Sequence, residues 1–220
     1  MHRRIRLAPH ACVADSRVFL LSPARTDGLR AKLLFNPRAT FPLAVRLRTP
    51  EGAELGEVFS FLSGLYFRGK LTYARAFASP PRGAPGILVI TPERGLVPPE
   101  TRVTIDDLYE FSQVDIAAGG DRYLTPLLSD AAALSSRVRK DTQLVLLGSI
   151  ATGKYVDALL TVFGARLVFP GDFVGRGDMS RGGLLLRSAR EGHELAYVPV
   201  EGAQRRGKRP PRLERAGRAR

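Results

Sequence analysis

Apolar positions along the chain follow two patterns, short runs without alternation and longer stripes at helical spacing. Four runs read as strands buried on both faces, as in a parallel sheet: Arg17–Leu21, Ile87–Ile90, Gln143–Leu147 and residues 166–169. Residues 194–199 predict a last strand. Helical spacing predicts helices over Leu29–Phe35, 41–47, 54–67, 123–140, 154–162 and 184–190, with breaks at Asn36-Pro37 and Thr49-Pro50. Thr104 predicts a further helix start, where Asp106 and Asp107 complement the dipole. Strands alternating with helices predict one α/β domain over residues 17–202, a mostly parallel central sheet flanked by helices. Residues 1–16 read as a disordered leader and residues 203–220 as a basic disordered tail.

If the strands run parallel, their carboxyl ends converge, and ligands of open α/β sheets bind outside those ends. Four segments then become candidates: 22–27, 91–95, 148–154 and 170–181. The first offers Ser22, Arg25, Thr26 and Asp27, although Asp27 is equally suited to capping the helix that follows. The second offers Glu93 and Arg94, a charged pair closed by Gly95. In the third, Gly148, four residues, Gly153 and Lys154 nearly spell a P-loop, but Tyr155 stands where Ser or Thr should hold magnesium. No later apolar strand ends in a magnesium-binding Asp either, because Val168-Phe169 runs into Pro170. The junction therefore reads as an anion- or ligand-binding turn built on Gly148, Ser149 and Lys154, or as a plain turn, ahead of a nucleoside triphosphatase. The fourth segment reads as a flexible charged loop, with five glycines in residues 170–183 and a polar cluster of Arg176, Asp178, Ser180 and Arg181.

Catalytic candidates are few. Glu93 and Asp178 are the carboxylates placed for acid–base work. His10 and His193 fall outside the strand ends, and Ser149 lacks a Gly-x-Ser-x-Gly elbow. No spacing is diagnostic of a metal, and no cofactor is predicted. Residues 66–75 interleave Arg68, Lys70 and Arg75 with Tyr66, Phe67 and Tyr73. Such a stretch suits a nucleic-acid face, with rings stacking on bases and cations meeting phosphates, or a core stripe with a solvated basic edge.

Charge alters the picture mainly at the ends. The net charge is +13, but of 34 Lys and Arg eight lie in residues 203–220 and three in residues 1–6. That leaves 23 bases against 20 of the 21 acids between residues 7 and 202, so the body is nearly neutral. Arg-rich ends attract polyanions without sequence preference. The lone Cys12 excludes an intramolecular disulfide and fits a reducing, cytoplasmic setting, and no apolar run is long enough to span a membrane.

Four islands also resemble a known family. Leu21-Ser22-Pro23-Ala24-Arg25-Thr26 resembles the "SPAKT" opening of the YaaA peroxide-stress family, and Phe67-Arg68-Gly69-Lys70 its "FKG" segment. Arg94-Gly95-Leu96-Val97-Pro98-Pro99-Glu100-Thr101 with Asp106-Asp107-Leu108 is similar to its "YGVLRPLD…PYRLEM" region, and Gly175-Arg176-Gly177-Asp178-Met179-Ser180-Arg181 to its "ARGLMSR". Residues 94–101 also resemble "KYGLVPPDT" of a related group of small bacterial domains. The resemblance implies an α/β fold that binds DNA and limits oxidative damage to it. It implies phosphate contacts at Arg25, Arg68, Lys70, Arg176 and Arg181. Two expectations follow. One is an intracellular duplex-DNA-binding protein of the oxidative-stress response without its own catalysis, acting partly through its basic tails. The other is an enzyme acting on a nucleotide, nucleobase or phosphorylated small ligand in a crevice at the strand ends.

Overall fold

The computed structural model describes residues 16–208, 210 and 211. Nearly all of the leader and the tail beyond Lys208 thus lie outside the described residues, Pro210 and Pro211 excepted. In chain order the elements are β1 (Arg17–Leu21), α1 (Leu29–Phe35), α2 (Pro42–Leu47), β2 (Ala53–Glu54), α3 (Leu55–Ser63), α4 (Leu65–Phe77), β3 (Ile87–Ile90), β4 (Leu96–Val97) and β5 (Arg102–Val103). There follow α5 (Ile105–Ser112), α6 (Asp121–Arg137), β6 (Gln143–Leu147), α7 (Val156–Phe163), β7 (Leu167–Pro170), α8 (Asp178–Glu191) and β8 (Tyr197–Pro199).

Six strands form one sheet in the order β4-β3-β1-β6-β7-β8, and β2 with β5 makes a separate antiparallel pair. The four strands predicted from unbroken apolar runs are mutually parallel, with Phe19 opposite both Ile87 and Val145. β4 and β8 close the edges antiparallel. The α/β expectation holds. Val18 to Leu21 and Leu144 to Leu147 are fully buried, as strands covered on both faces must be. Burying each such side chain contributes about 1.5–3 kcal/mol.

The chain leaves β1 toward β3 on one side, then crosses back to β6 on the other. Right-handed crossovers put those two connections on opposite faces. Accordingly α4 packs with α8, and α6 with α7. The direction of winding reverses between β1 and β6, which opens a crevice between their carboxyl ends.

Several predicted boundaries are corrected. The helix expected over 54–67 breaks at Gly64, whose φ of 60° belongs to the left-handed half of the map. A Cβ there would also lie 2.4 Å from the Arg30 guanidinium. α4 then runs on to Phe77, through the whole interleaved stretch. Its rings are core: Tyr66, Phe67 and Tyr73 are buried, so they cannot stack on bases. The helix expected from Lys154 starts at Val156, which leaves Lys154 in the preceding turn. The segment expected to be a flexible loop up to Gly183 is helical from Asp178, with Ser180 and Arg181 on α8. Gly182 serves close packing there, because a Cβ on it would lie 2.8 Å from the Leu65 carbonyl oxygen. Thr104 caps α5 as expected, in a capping box with Asp107. Asp27 caps nothing; Gly28 is the N-cap of α1 and Asp27 pairs with Arg25. Among the described residues no helix is long and apolar enough to cross a membrane.

Candidate functional site

At the reversal of winding lies an open crevice of about 1050 Å³. Most of its wall comes from three places: residues 22–31, from the end of β1 into α1, residues 112–117, from the last residue of α5 onward, and Ser149, Thr152, Lys154 and Tyr155 after β6. Leu62 and Ser63 of α3, Tyr66 of α4, Pro92 after β3 and Asp178 of α8 complete it. Of the candidates singled out at the strand ends, Ser22, Arg25, Thr26, Asp27, Ser149, Lys154 and Asp178 line it.

The β1 side is built from the floor up. Lys70 is only 1% exposed, and its Nζ donates to the Ser22 carbonyl and, at 2.8 Å, to Ser22 Oγ. It lies over the rings of Tyr66 and Phe67, at 4.7 and 4.8 Å from their centroids. Burial pushes the Lys70 ammonium down to about 7; Asp178 opposes that shift and Arg181 adds to it. Lys70 therefore meets no phosphate from below the surface. Ser22 itself is buried against Gly148, where a Cβ would lie 2.9 Å from Ser22 Cβ and 2.7 Å from the Tyr155 hydroxyl. Gly148 is thus required for close approach.

The β6 side is open. Thr152 and Lys154 are exposed, while Tyr155 is buried and donates its hydroxyl to the Ser149 carbonyl at 2.9 Å. Burial raises the Tyr155 phenol above its ordinary value. The resemblance of this loop to a P-loop ends here. Tyr155 is committed to the loop's own carbonyl, and a Cβ on Gly153 would lie 2.2 Å from Asp157 Oδ2. Asp157 therefore already complements the start of α7, and it also pairs with Arg205 at 2.7 Å.

Charges in the walls balance: Arg25, Arg30 and Lys154 stand against Asp27, Asp115 and Asp178. Arg25 holds Asp27 through two hydrogen bonds of 3.0 and 2.7 Å, which lower the Asp27 carboxyl below the ordinary range. Arg30 donates to the Phe61 carbonyl at 2.9 Å.

Other candidates lie elsewhere. Glu93 pairs with Arg122 at 2.5 Å, and Arg94 pairs with Asp107 and lies 5.3 Å from the Phe111 ring centroid. Their turn is closed by Thr91, whose hydroxyl donates to the Gly95 carbonyl and accepts from Arg94 N–H. Only Pro92 of that turn reaches the crevice. Arg68 is exposed on α4 away from it. Arg176 bonds the Asp172 carbonyl and Ser180 Oγ, and buried Arg181 bonds the Phe173 carbonyl at 3.2 and 3.1 Å. These two arginines brace the loop before α8. Sequence reasoning read Tyr66 as a stacking ring or core and not as a crevice wall; among the described residues its buried hydroxyl meets no partner in hydrogen-bond geometry, although Arg181 and Asp178 lie near. It also missed Asp115 and Arg30. Among the described residues no group of three or more His, Cys, Asp and Glu is placed to hold a metal ion. Compared with known proteins, the chain matches no family model, no curated protein and no solved structure.

Proposed function

We propose that the protein is an enzyme whose body takes a nucleoside or nucleoside monophosphate into the crevice between the ends of β1 and β6. One observation carries this reading: a crevice large enough for a nucleotide opens where the winding of a parallel sheet reverses, with side chains of both polar and apolar character in its walls. Its balanced charge favours a ligand with no more than one anionic group, set against Lys154. A triphosphate would bring its charge toward Asp27, Asp115 and Asp178.

Titration calorimetry of the full chain with the four common ribonucleosides and their 5′-mono- and triphosphates tests this. Monophosphate binding that weakens in Lys154→Ala is expected, with the triphosphate binding less well than the monophosphate. Absence of binding by every compound, or a triphosphate that binds best, would overturn it.

A second reading rests on charge distribution. Eight Lys and Arg against Glu214 in residues 203–220 favour duplex DNA as a partner of the tail, in keeping with the resemblance to a DNA-binding stress family. The nearly neutral body and the buried rings of α4 favour the tail over the body as the contact. DNA affinity that falls steeply with salt and weakens strongly on deleting residues 209–220, which hold five of those eight bases, is the expected behaviour. Affinity unchanged by that deletion would place DNA on the body instead.

A further inference from the structure

Lys70 is a buried amine with no carboxylate of the described residues in hydrogen-bonding reach, which is a costly arrangement for a residue that only fills space. Asp178 and Arg181 approach from α8, but Asp178 is ion-paired with Arg181 at 3.5 Å and does not reach Nζ. Tyr66 and Phe67 come from its own helix, Ser22 from the end of β1, and the Tyr155 hydroxyl flanks Ser22 across Gly148. Among the described residues the one side chain that Nζ bonds is a serine hydroxyl 2.8 Å away, and that serine belongs to the crevice wall. Ser22 thus separates the amine from the crevice.

We propose that Ser22 is a nucleophile and Lys70 its general base, a serine–lysine dyad that hydrolyses an acyl ester of the ligand held in the crevice. The choice of ester rests on the nucleoside reading above, and the dyad on the Ser22–Lys70 geometry alone. A neutral amine keeps an N–H for the Ser22 carbonyl and turns its lone pair to the Ser22 hydroxyl, which then donates to it. Ser22 Oγ attacks the acyl carbon as its proton passes to Lys70 Nζ. The carbon–oxygen bond to the alcohol breaks, and Lys70 returns the proton to the departing alkoxide. Water then attacks the acyl-serine, giving its proton to Lys70. The acyl–Oγ bond breaks, Ser22 Oγ recovers the proton, and the carboxylic acid leaves. A neutral carbonyl suits this site better than a transferring phosphoryl group, because the walls carry as many carboxylates as cations.

The test is covalent labelling of the full chain by a small alkyl fluorophosphonate, read by intact mass and peptide mapping. A single adduct on Ser22 is expected, with fluoride leaving as the Oγ–phosphorus bond forms. Its rate should rise with pH through about 7, where Lys70 loses its proton. Lys70→Met should slow it by about a hundredfold, and Ser22→Ala should abolish it. No Ser22 adduct at pH 8, or a rate indifferent to Lys70→Met in a variant that still folds, overturns the dyad. Should that variant not fold, a flat pH profile for the wild-type chain overturns it instead. The probe contains no nucleoside, so the two readings fail separately. Nucleoside binding without labelling removes the dyad alone, and labelling without nucleoside binding removes the ligand class alone.

Discussion

The two strand ends that meet in the crevice are built in opposite ways. At the end of β1, Ser22 is buried, bonded from below by an almost fully enclosed lysine, and pressed against Gly148. At the end of β6, Ile150 and Tyr155 are anchored in the core while Thr152 and Lys154 are exposed. Close packing holds the first, whereas solvent reaches Thr152 and Lys154 of the second. A division of labour follows: the β1 end suits chemistry that needs exact placement, and the β6 end suits contact with ligands of varied outline.

The largest change should come from the helix contact that places Lys70. α4 and α8 touch backbone to backbone at Gly69 and Gly182, where an added Cβ would meet carbonyl oxygens at 2.7 and 2.8 Å. Gly182→Val should cost about 3–4 kcal/mol in urea denaturation. A loss under about 1 kcal/mol would mean that the helices separate easily.

Next comes the pH dependence of stability. The folded-state value of Lys70 lies below its ordinary 10.5, so folding is opposed by the full burial of the cation below about pH 7. That opposition fades as pH rises from there toward the ordinary value. Relative to Lys70→Met, the wild-type chain should gain on the order of 3 kcal/mol between about pH 7 and 9.5. Parallel stability curves for the two proteins would show that Lys70 titrates normally.

A smaller effect is expected at the seam between the two ends. Gly148→Ala forces a methyl against Ser22 and the Tyr155 hydroxyl and should cost about 1–2 kcal/mol, together with a loss of fluorophosphonate labelling. Retained labelling would show that Ser22 needs no support from the β6 end. On the open side, Lys154→Ala should change stability by less than about 0.5 kcal/mol while weakening nucleotide binding. The reverse pattern would undo the contrast between the ends.

The parallel sheet was legible because its strands are unbroken apolar runs, and once they are parallel their carboxyl ends must converge. β2, β4 and β5 have two residues each, too short to show a period of two. The start of α8 was hidden by glycines read as loop. Gly177 is its N-cap and Gly182 lets α4 approach, so neither marks a turn within the helix. Lys70 shows what a pattern can and cannot say. It lies among Tyr66, Phe67, Leu71, Tyr73 and Ala74, which spacing marked as core, but a cation there was expected on a solvated edge or against phosphate, and burial corrects that. That its partner would be Ser22, 48 residues earlier, was not readable, because strand order and helix packing decide it. The failed P-loop was only half visible: Tyr155 could be read, but not Asp157 folded back over Gly153.

Hydrogen exchange of the full chain, with and without a saturating nucleoside monophosphate, tests most directly whether the reversal of winding between β1 and β6 is the ligand site. Slowed exchange in peptides covering residues 22–31 and 148–155, with residues 203–220 unchanged, is the predicted result. Slowing confined to the basic tail, or to the outer face of α4 around Arg68 and Arg75, would contradict it.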